Sequence, residues 1–108
     1  MPDKLYLVTR KNLPPGPQAV QICHVARIFQ NEHPEVERKW FVESNYLAVL
    51  STEDEESLVR LIKKADKGGV LYSVFREPDL GNHVTAVAFE PGVKGRRICS
   101  GLGLALTE

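Results

Sequence analysis

Four short apolar runs along the chain predict the strands of a sheet. Residues 4–8, 46–50, 70–76 and 84–89 are each rich in aliphatic, aromatic or β-branched side chains and are bounded by polar or turn-forming residues. Runs of this kind are typical of strands buried on both faces. Between the first and second runs, and again between the second and third, apolar residues recur at helical spacing. We therefore predict the order strand, helix, strand, helix, strand, strand.

The first helix is predicted to run from about Pro17 to Asn31, because a proline suits the first helical position. Gln21 and His24 are three residues apart on it and therefore share a face. We expect that face to lie away from the sheet. The apolar stripe expected to face the sheet consists of Ala19, Ile22, Cys23, Ala26 and Phe29.

Further helical signals follow. A second short helix is predicted over Pro34 to Trp40. Thr52 with Glu55 three residues later has the pattern of a capping box, and acidic residues suit the positive end of a helix. That helix is expected to end at Gly68-Gly69 in a left-handed cap.

The order of these elements predicts the fold class. The two helical connections can join parallel neighbours, whereas the short last connection permits an antiparallel pair. A chain of 108 residues is long enough for one core. We therefore predict a single α/β domain over residues 1–108, with a mixed four-stranded sheet and helices on both faces.

Net charge, cysteine content and the lack of a long apolar run each argue against a class of protein. The chain has 14 Lys plus Arg and 14 Asp plus Glu, which gives a net charge of zero and argues against nucleic-acid binding by bulk positive charge. The only cysteines, Cys23 and Cys99, form no CxxC pair, which indicates two reduced thiols. Without a long apolar run or a secretory leader, we predict a soluble cytoplasmic protein with no membrane partner.

The sequence lacks the motifs of several enzyme classes, namely GxSxG, the phosphate-binding loop and HExxH. Because its three histidines lack zinc-site spacing, no metal or cofactor is predicted. Glu77, Asp79 and Asn82 follow the third strand, where α/β folds build sites, although composition alone favours a simple polar turn for them. The local basic residues could contact phosphate or simply be solvated, and they are Arg10, Lys11, Lys94, Arg96 and Arg97.

The stretch from Pro14 to Ala26 resembles the type II peptidyl-tRNA hydrolases, because Ala19, Gln21 and His24 fall on the family's A-x-Q-x-x-H-A pattern. The resemblance extends from about Leu5 to Leu106. It includes Trp40 before YLAVL, the Gly-Gly helix end, the strand VLYSVFR, and TAVAFEP. The family's mixed four-stranded sheet agrees with the fold expected from the residues, and its members are often dimers.

The resemblance implies hydrolysis of the ester between a peptide and the 3′ ribose of tRNA, without a cofactor. It implies that His24 is the base or water-positioning group, with Gln21 beside it. Thr85 corresponds to the threonine that opens the last strand, and Glu77 takes the place of an aspartate after strand three. The expected catalytic residues are His24 and Glu77. The expected substrate-binding residues are Gln21, Asp79, Asn82, Thr85, Arg10, Lys11, Arg96 and Arg97.

Two departures from the family pattern leave an alternative open. The family's two loop lysines are Pro15 and Pro17 here, and Pro78 to Asn82 interrupts its D-A-G-x-T pattern. Losing a positioned lysine removes charge that would meet phosphate or a developing oxyanion. The alternative to the hydrolase is a non-catalytic module of the same fold that recognises RNA, a peptide or a protein.

Overall fold

The fold is built on a five-stranded mixed sheet, in a computed structural model that describes residues 3–107. The strands are β1 (Lys4–Arg10), β2 (Tyr46–Thr52), β3 (Tyr72–Glu77), β4 (His83–Phe89) and β5 (Gly103–Leu104). Their order across the sheet is β3-β4-β1-β2-β5. β1 and β2 are parallel, whereas the β1–β4, β3–β4 and β2–β5 pairs are antiparallel.

The prediction of a mixed sheet is confirmed, with a fifth strand of two residues added at the edge. Gly103 and Leu104 pair with the carboxyl half of β2, and the Ala105 amide donates to the Val49 carbonyl at 3.0 Å. Such a short, glycine-containing strand carries no alternation of apolar and polar side chains. Its pairing with β2 therefore left no pattern in the sequence.

Helices cover both faces of the sheet, as predicted. They are α1 (Pro15–Glu32), α2 (Pro34–Glu43), α3 (Glu55–Gly68) and α4 (Val93–Ile98), and a single 3₁₀ turn spans Pro78–Leu80. Leu5 and Leu7 of β1 point to the core shared with α1 and α2. Tyr6 and Val8 point to the core shared with α3 and α4. This alternation explains the unbroken apolar run, since both faces of β1 are buried.

The buried face of α1 differs from the predicted one. Gln18, Gln21, Ile22, Val25 and Phe29 are buried, whereas Cys23 is exposed. The prediction counted small and apolar residues only, and two glutamines in fact complete the stripe. Their amides are acceptable there because they hydrogen-bond to the loop, the sheet and the C-terminal segment.

The start of α3 also differs in detail. Asp54, not Thr52, is its N-cap, and the Asp54 carboxylate accepts from the Ser57 amide at 3.0 Å. The predicted end is confirmed, because Gly69 adopts a left-handed conformation with φ of 66°. Within residues 3–107, no helix combines the length and the apolar character needed to cross a membrane.

Candidate functional site

Most of the predicted site residues lie at one edge of the sheet, where β1, β2 and β3 end and β4 begins. The register pairs Arg10 with Thr52 across the parallel strands, and Glu77 with His83 across the antiparallel ones. The α1 helix begins shortly after β1, and α3 begins shortly after β2. These strand ends, together called the carboxyl edge below, therefore lie beside the starts of two helices and one polar loop.

Gln21 and His24 of α1 do not form the exposed face predicted for them. Gln21 is only 4% exposed, and its Oε1 accepts a hydrogen bond from Thr85 Oγ1 at 2.8 Å. His24 is exposed, and its ring stacks on Phe75 with centroids 4.4 Å apart. Residues three apart on a helix differ by about 60° in direction, and here the boundary between buried and exposed surface passes between them.

Thr85 occupies a bulge in β4. Phe75 of β3 pairs with Ala86 and the next residue, Arg76, pairs with Val84, so Thr85 has no residue opposite it. A bulge of this kind redirects a side chain, and such features are frequent beside active sites. Thr85 is fully buried and its carbonyl accepts from Thr9 Oγ1 at 2.8 Å. Gln21 and Thr85 thus form a buried polar joint between α1 and the sheet.

The groove beside His24 does not contain the predicted acids. This groove, of about 1290 Å³, is lined by α1, α2 and two residues of β3, Val74 and Phe75. Glu77 and Asp79 are not among its lining residues. Glu77 ends β3, and Asp79 is exposed in the 3₁₀ turn. The groove therefore contains His24 but neither Gln21 nor the two acids expected to act with it.

The loop between β3 and β4 turns sharply at two residues with left-handed backbone. Gly81 has φ of 64° and Asn82 has φ of 63°. The Asn82 amide donates to the Glu77 carbonyl at 2.9 Å, which closes the loop. Asn82 is exposed, and its carbonyl lies 3.5 Å from Arg76 Nη1. The loop therefore delivers His83 to the start of β4 in a fixed direction.

Glu55 joins the start of α3 to the start of β4 through two contacts. Its Oε1 lies 2.8 Å from His83 Nδ1, and its Oε2 accepts from the Val84 amide at 2.8 Å. Arg10 contacts the other polar group of the Val84 backbone, because its Nη1 donates to the Val84 carbonyl at 3.2 Å. A cation, a carboxylate and an imidazole are thus arranged around one backbone unit.

The electrostatics of this cluster favour an ionised carboxylate. The hydrogen bond from His83, and then that from the Val84 amide, hold the pKa of Glu55 below its ordinary value. The neighbouring cap behaves likewise, since hydrogen bonds from the Ser57 amide and hydroxyl lower the pKa of Asp54. Among residues 3–107, no group of three or more His, Cys, Asp or Glu side chains is placed to hold a metal ion.

The predicted basic residues belong to two different parts of the fold. Arg10 and Lys11 lie at the carboxyl edge, where Lys11 Nζ is 2.7 Å from Glu53 Oε1. Arg96 and Arg97 belong to α4, which follows the end of β4. Because β4 runs antiparallel to β1, α4 follows from the other end of the strands, and its Gly95 packs close to Tyr6, in the first half of β1.

Two residues of the cluster, Glu55 and His83, were not selected from the sequence. The sequence pattern predicts a helix cap for Glu55, and His83 comes directly after the polar residues that follow the third strand. They are 28 residues apart and meet only because β4 and β2 flank β1 on either side. A usable signal existed, since both positions border predicted strands at ends that the topology brings to one edge.

Comparison with known proteins adds a family and a fold. The family model of peptidyl-tRNA hydrolase PTH2 matches residues 3–97. Among solved structures, a protein of unknown function from Agrobacterium tumefaciens has a similar fold, with a TM-score of 0.68 and 13% sequence identity. That similarity covers 96% of this chain and 98% of the other. No curated protein sequence matches the chain.

Proposed function

The chain belongs to the peptidyl-tRNA hydrolase PTH2 family, and from this premise we propose that it hydrolyses the ester bond of peptidyl-tRNA. Water would add to the ester carbonyl, and the bond to the 3′ ribose oxygen would break. The products would be a peptide with a free carboxyl group and a tRNA with a free 3′ terminus. No cofactor is needed for this reaction, because a base and a group that stabilises negative charge suffice.

The observation that carries the proposal is the arrangement of Arg10 and Glu55 around Val84. Arg10 contacts the Val84 carbonyl and Glu55 contacts the Val84 amide, which places positive and negative groups on either side of one backbone unit. Arg10 is the last residue of β1 and Glu55 is the first residue of α3, so the fold fixes the positions of both. A charge-stabilising group close to a carboxylate-supported base can serve ester hydrolysis.

In the proposed reaction Arg10 takes the part that a loop lysine would otherwise take. Pro15 and Pro17 stand at the family's lysine positions. Arg10 uses its Nε and Nη1 for Asn12 and Val84, which leaves further N–H groups of its guanidinium to bind an oxyanion. Replacing a positioned donor of this kind typically lowers the rate by about 10²–10³-fold.

The test is release of the peptide from a purified N-blocked aminoacyl-tRNA. We expect multiple turnovers by the parent chain, and a loss of about 100-fold in kcat for Arg10→Gln. Lys67→Gln is the matched control, because Lys67 lies in the last turn of α3, at the other end of that helix from Glu55. An unblocked aminoacyl-tRNA measured in parallel shows whether the acyl group must be a peptide.

Failure would have a defined form. If the parent chain released no acyl group from any acyl-tRNA but still bound tRNA, the hydrolase proposal would be overturned. The non-catalytic module of the same fold would then replace it, with the loss of both loop lysines as its physical basis.

A further inference from the structure

We infer that His83 is the general base that activates the hydrolytic water, and that Glu55 is the residue that positions it. The inference rests on the proposed function and deepens it, because it assigns the proton transfer to two side chains that the family pattern does not single out. It also differs from the sequence-based hypothesis, in which His24 is the base.

The first support is the geometry of the pair. Glu55 Oε1 and His83 Nδ1 are 2.8 Å apart, a distance typical of a hydrogen bond to a carboxylate. An ionised carboxylate can only accept, so Nδ1 carries the proton and donates it to this bond. In the neutral ring Nε2 is then left as the acceptor. A histidine fixed in this tautomer by a carboxylate is the usual arrangement of a general base.

The second support is that Glu55 cannot easily turn away. Its other oxygen accepts from the Val84 amide, and the two contacts hold both carboxylate oxygens at 2.8 Å. Its side chain is 32% exposed, compared with 57% for His83. The carboxylate is therefore the more enclosed partner, and the imidazole faces the solvent from which water would come.

The third support is the glycine that stands beside Nε2. A Cβ atom at position 81 would lie 3.2 Å from His83 Cδ2 and 3.4 Å from His83 Nε2. Gly81 has no such atom, and its φ of 64° suits glycine. The loop thus keeps its backbone close to the ring while leaving the acceptor edge of the imidazole uncrowded. Within residues 3–107, Nε2 takes part in no hydrogen bond.

The other two histidines lack these features. His24 stacks on Phe75, and its ring has no hydrogen bond to any residue in the described part of the chain. His33 uses Nε2 to donate to the Tyr72 carbonyl at 3.1 Å, which occupies that nitrogen. His83 is therefore the one histidine of residues 3–107 that combines a carboxylate on one nitrogen with a free second nitrogen.

Charged groups from every neighbouring element surround His83. Glu55 comes from α3, and Glu77 is the cross-strand partner of His83 in β3. Arg76 contacts the carbonyl of Asn82, and Arg10 contacts the carbonyl of Val84, which are the residues on either side of His83. Two carboxylates and two guanidinium groups thus belong to the elements that adjoin His83, and Glu55 is the one that contacts its ring.

The proposed step balances in atoms and protons. Nε2 of His83 takes a proton from water while the water oxygen bonds to the ester carbon, and negative charge develops on the carbonyl oxygen. When the tetrahedral species collapses, the bond to the ribose oxygen breaks. The imidazolium returns its proton to that oxygen, which becomes the 3′ hydroxyl, so the enzyme ends unchanged.

The kinetic test compares His83→Gln, Glu55→Gln and His24→Gln with the parent chain on N-blocked aminoacyl-tRNA. We expect His83→Gln to lower kcat by about 10²–10⁴-fold with little change in KM. Glu55→Gln should also lower kcat, because an amide still contacts the ring but supports its positive charge and its tautomer less well. The loss of kcat in His24→Gln should be smaller than that in His83→Gln by a factor of at least about ten.

A pH profile separates positioning from mere structural support. Glu55→Gln should move the rising limb of the kcat profile to lower pH, since a neutral amide stabilises an imidazolium less than a carboxylate does. Glu56→Gln is the matched control, because Glu56 is the next residue of α3, is exposed, and contacts Arg60 instead of His83. Its profile should stay that of the parent.

An observation independent of turnover completes the design. In ¹⁵N NMR spectra of the imidazoles, the neutral ring of His83 should be the Nδ1–H tautomer in the parent, and Glu55→Gln should weaken that preference. An active parent whose His83→Gln variant retains its kcat would overturn this inference alone. A parent without turnover on any acyl-tRNA would instead overturn the proposed function, so the two failures are distinguishable.

Discussion

At the residue scale, buried hydroxyls and amides hold the carboxyl edge together. Thr9 Oγ1 donates to the Thr85 carbonyl, and Thr85 Oγ1 donates to Gln21 Oε1, both at 2.8 Å. Thr9 and Thr85 are fully buried, so each polar atom must find its partner inside the protein. The contacts bind β1, the bulge of β4 and α1 to one another directly behind His83 and Arg10.

Thr85→Val tests this joint. Valine has nearly the shape of threonine but cannot donate, so the buried Gln21 oxygen would lose its partner. We expect the free energy of unfolding to fall by about 1–3 kcal/mol, measured by urea denaturation. Thr85→Ser is the comparison, because it keeps the hydroxyl and loses only a methyl group. Equal stability of the valine variant and the parent would show that the hydrogen bond contributes nothing.

At the element scale, α4 depends on a close approach between backbone segments. A Cβ atom at Gly95 would lie 2.0 Å from the Glu90 carbonyl oxygen and 3.2 Å from the Tyr6 ring. The helix can pack against β1 only because residue 95 has no side chain. Nearby, burial raises the pKa of the Cys99 thiol to about 12, which agrees with its place in the same apolar core.

Two glycine substitutions in helices should therefore have opposite effects on stability. Gly95→Ala must displace α4, and we expect a loss of about 1–3 kcal/mol. Gly68→Ala lies in the last position of α3, where its Cβ would meet only Val70 at an ordinary 3.6 Å. Alanine favours a helix over glycine, so we expect a gain of about 0.5–1 kcal/mol. Thermal unfolding of both variants against the parent checks the signs.

At the scale of the whole molecule, the antiparallel β1–β4 pair separates the basic residues. Arg10 ends β1 beside the proposed catalytic groups and Lys11 follows it, whereas Arg96 and Arg97 belong to α4, which packs near Tyr6 in the first half of β1. A tRNA whose 3′ end reaches His83 would meet the first pair directly. Because the protein has zero net charge, its affinity for such a tRNA would depend on a few local contacts and not on its total charge.

We expect the two pairs to differ in their effect on tRNA affinity. The double variant Arg10→Gln with Lys11→Gln should weaken binding more than Arg96→Gln with Arg97→Gln, in titrations at several salt concentrations. Losing two phosphate contacts should also reduce the slope of log affinity against log salt by about 1.4 for a single-stranded end. Equal losses of affinity in the two double variants would contradict this, and would mean that the bound RNA reaches both pairs of basic residues.

Much of the fold could be predicted from the sequence, because its local signals agree with one another. The apolar runs fixed four strands, Pro and Gly marked helix ends, and short-range spacing indicated helices on both faces of a mixed sheet. The stripe on α1 was only partly predicted, since Gln18 and Gln21 are buried through contacts with residues far along the chain. No local pattern distinguishes such a glutamine from an exposed one.

The sequence by itself determined the elements, the fold class and the family pattern around Gln21, His24 and Thr85. Only the tertiary structure decided which groups meet. It buried Gln21 against Thr85, left His24 stacked on Phe75, and brought Glu55 to His83. The physical reason is that helix and strand signals arise between residues a few positions apart, whereas a site depends on strand order and a bulge, which bring together side chains tens of residues apart.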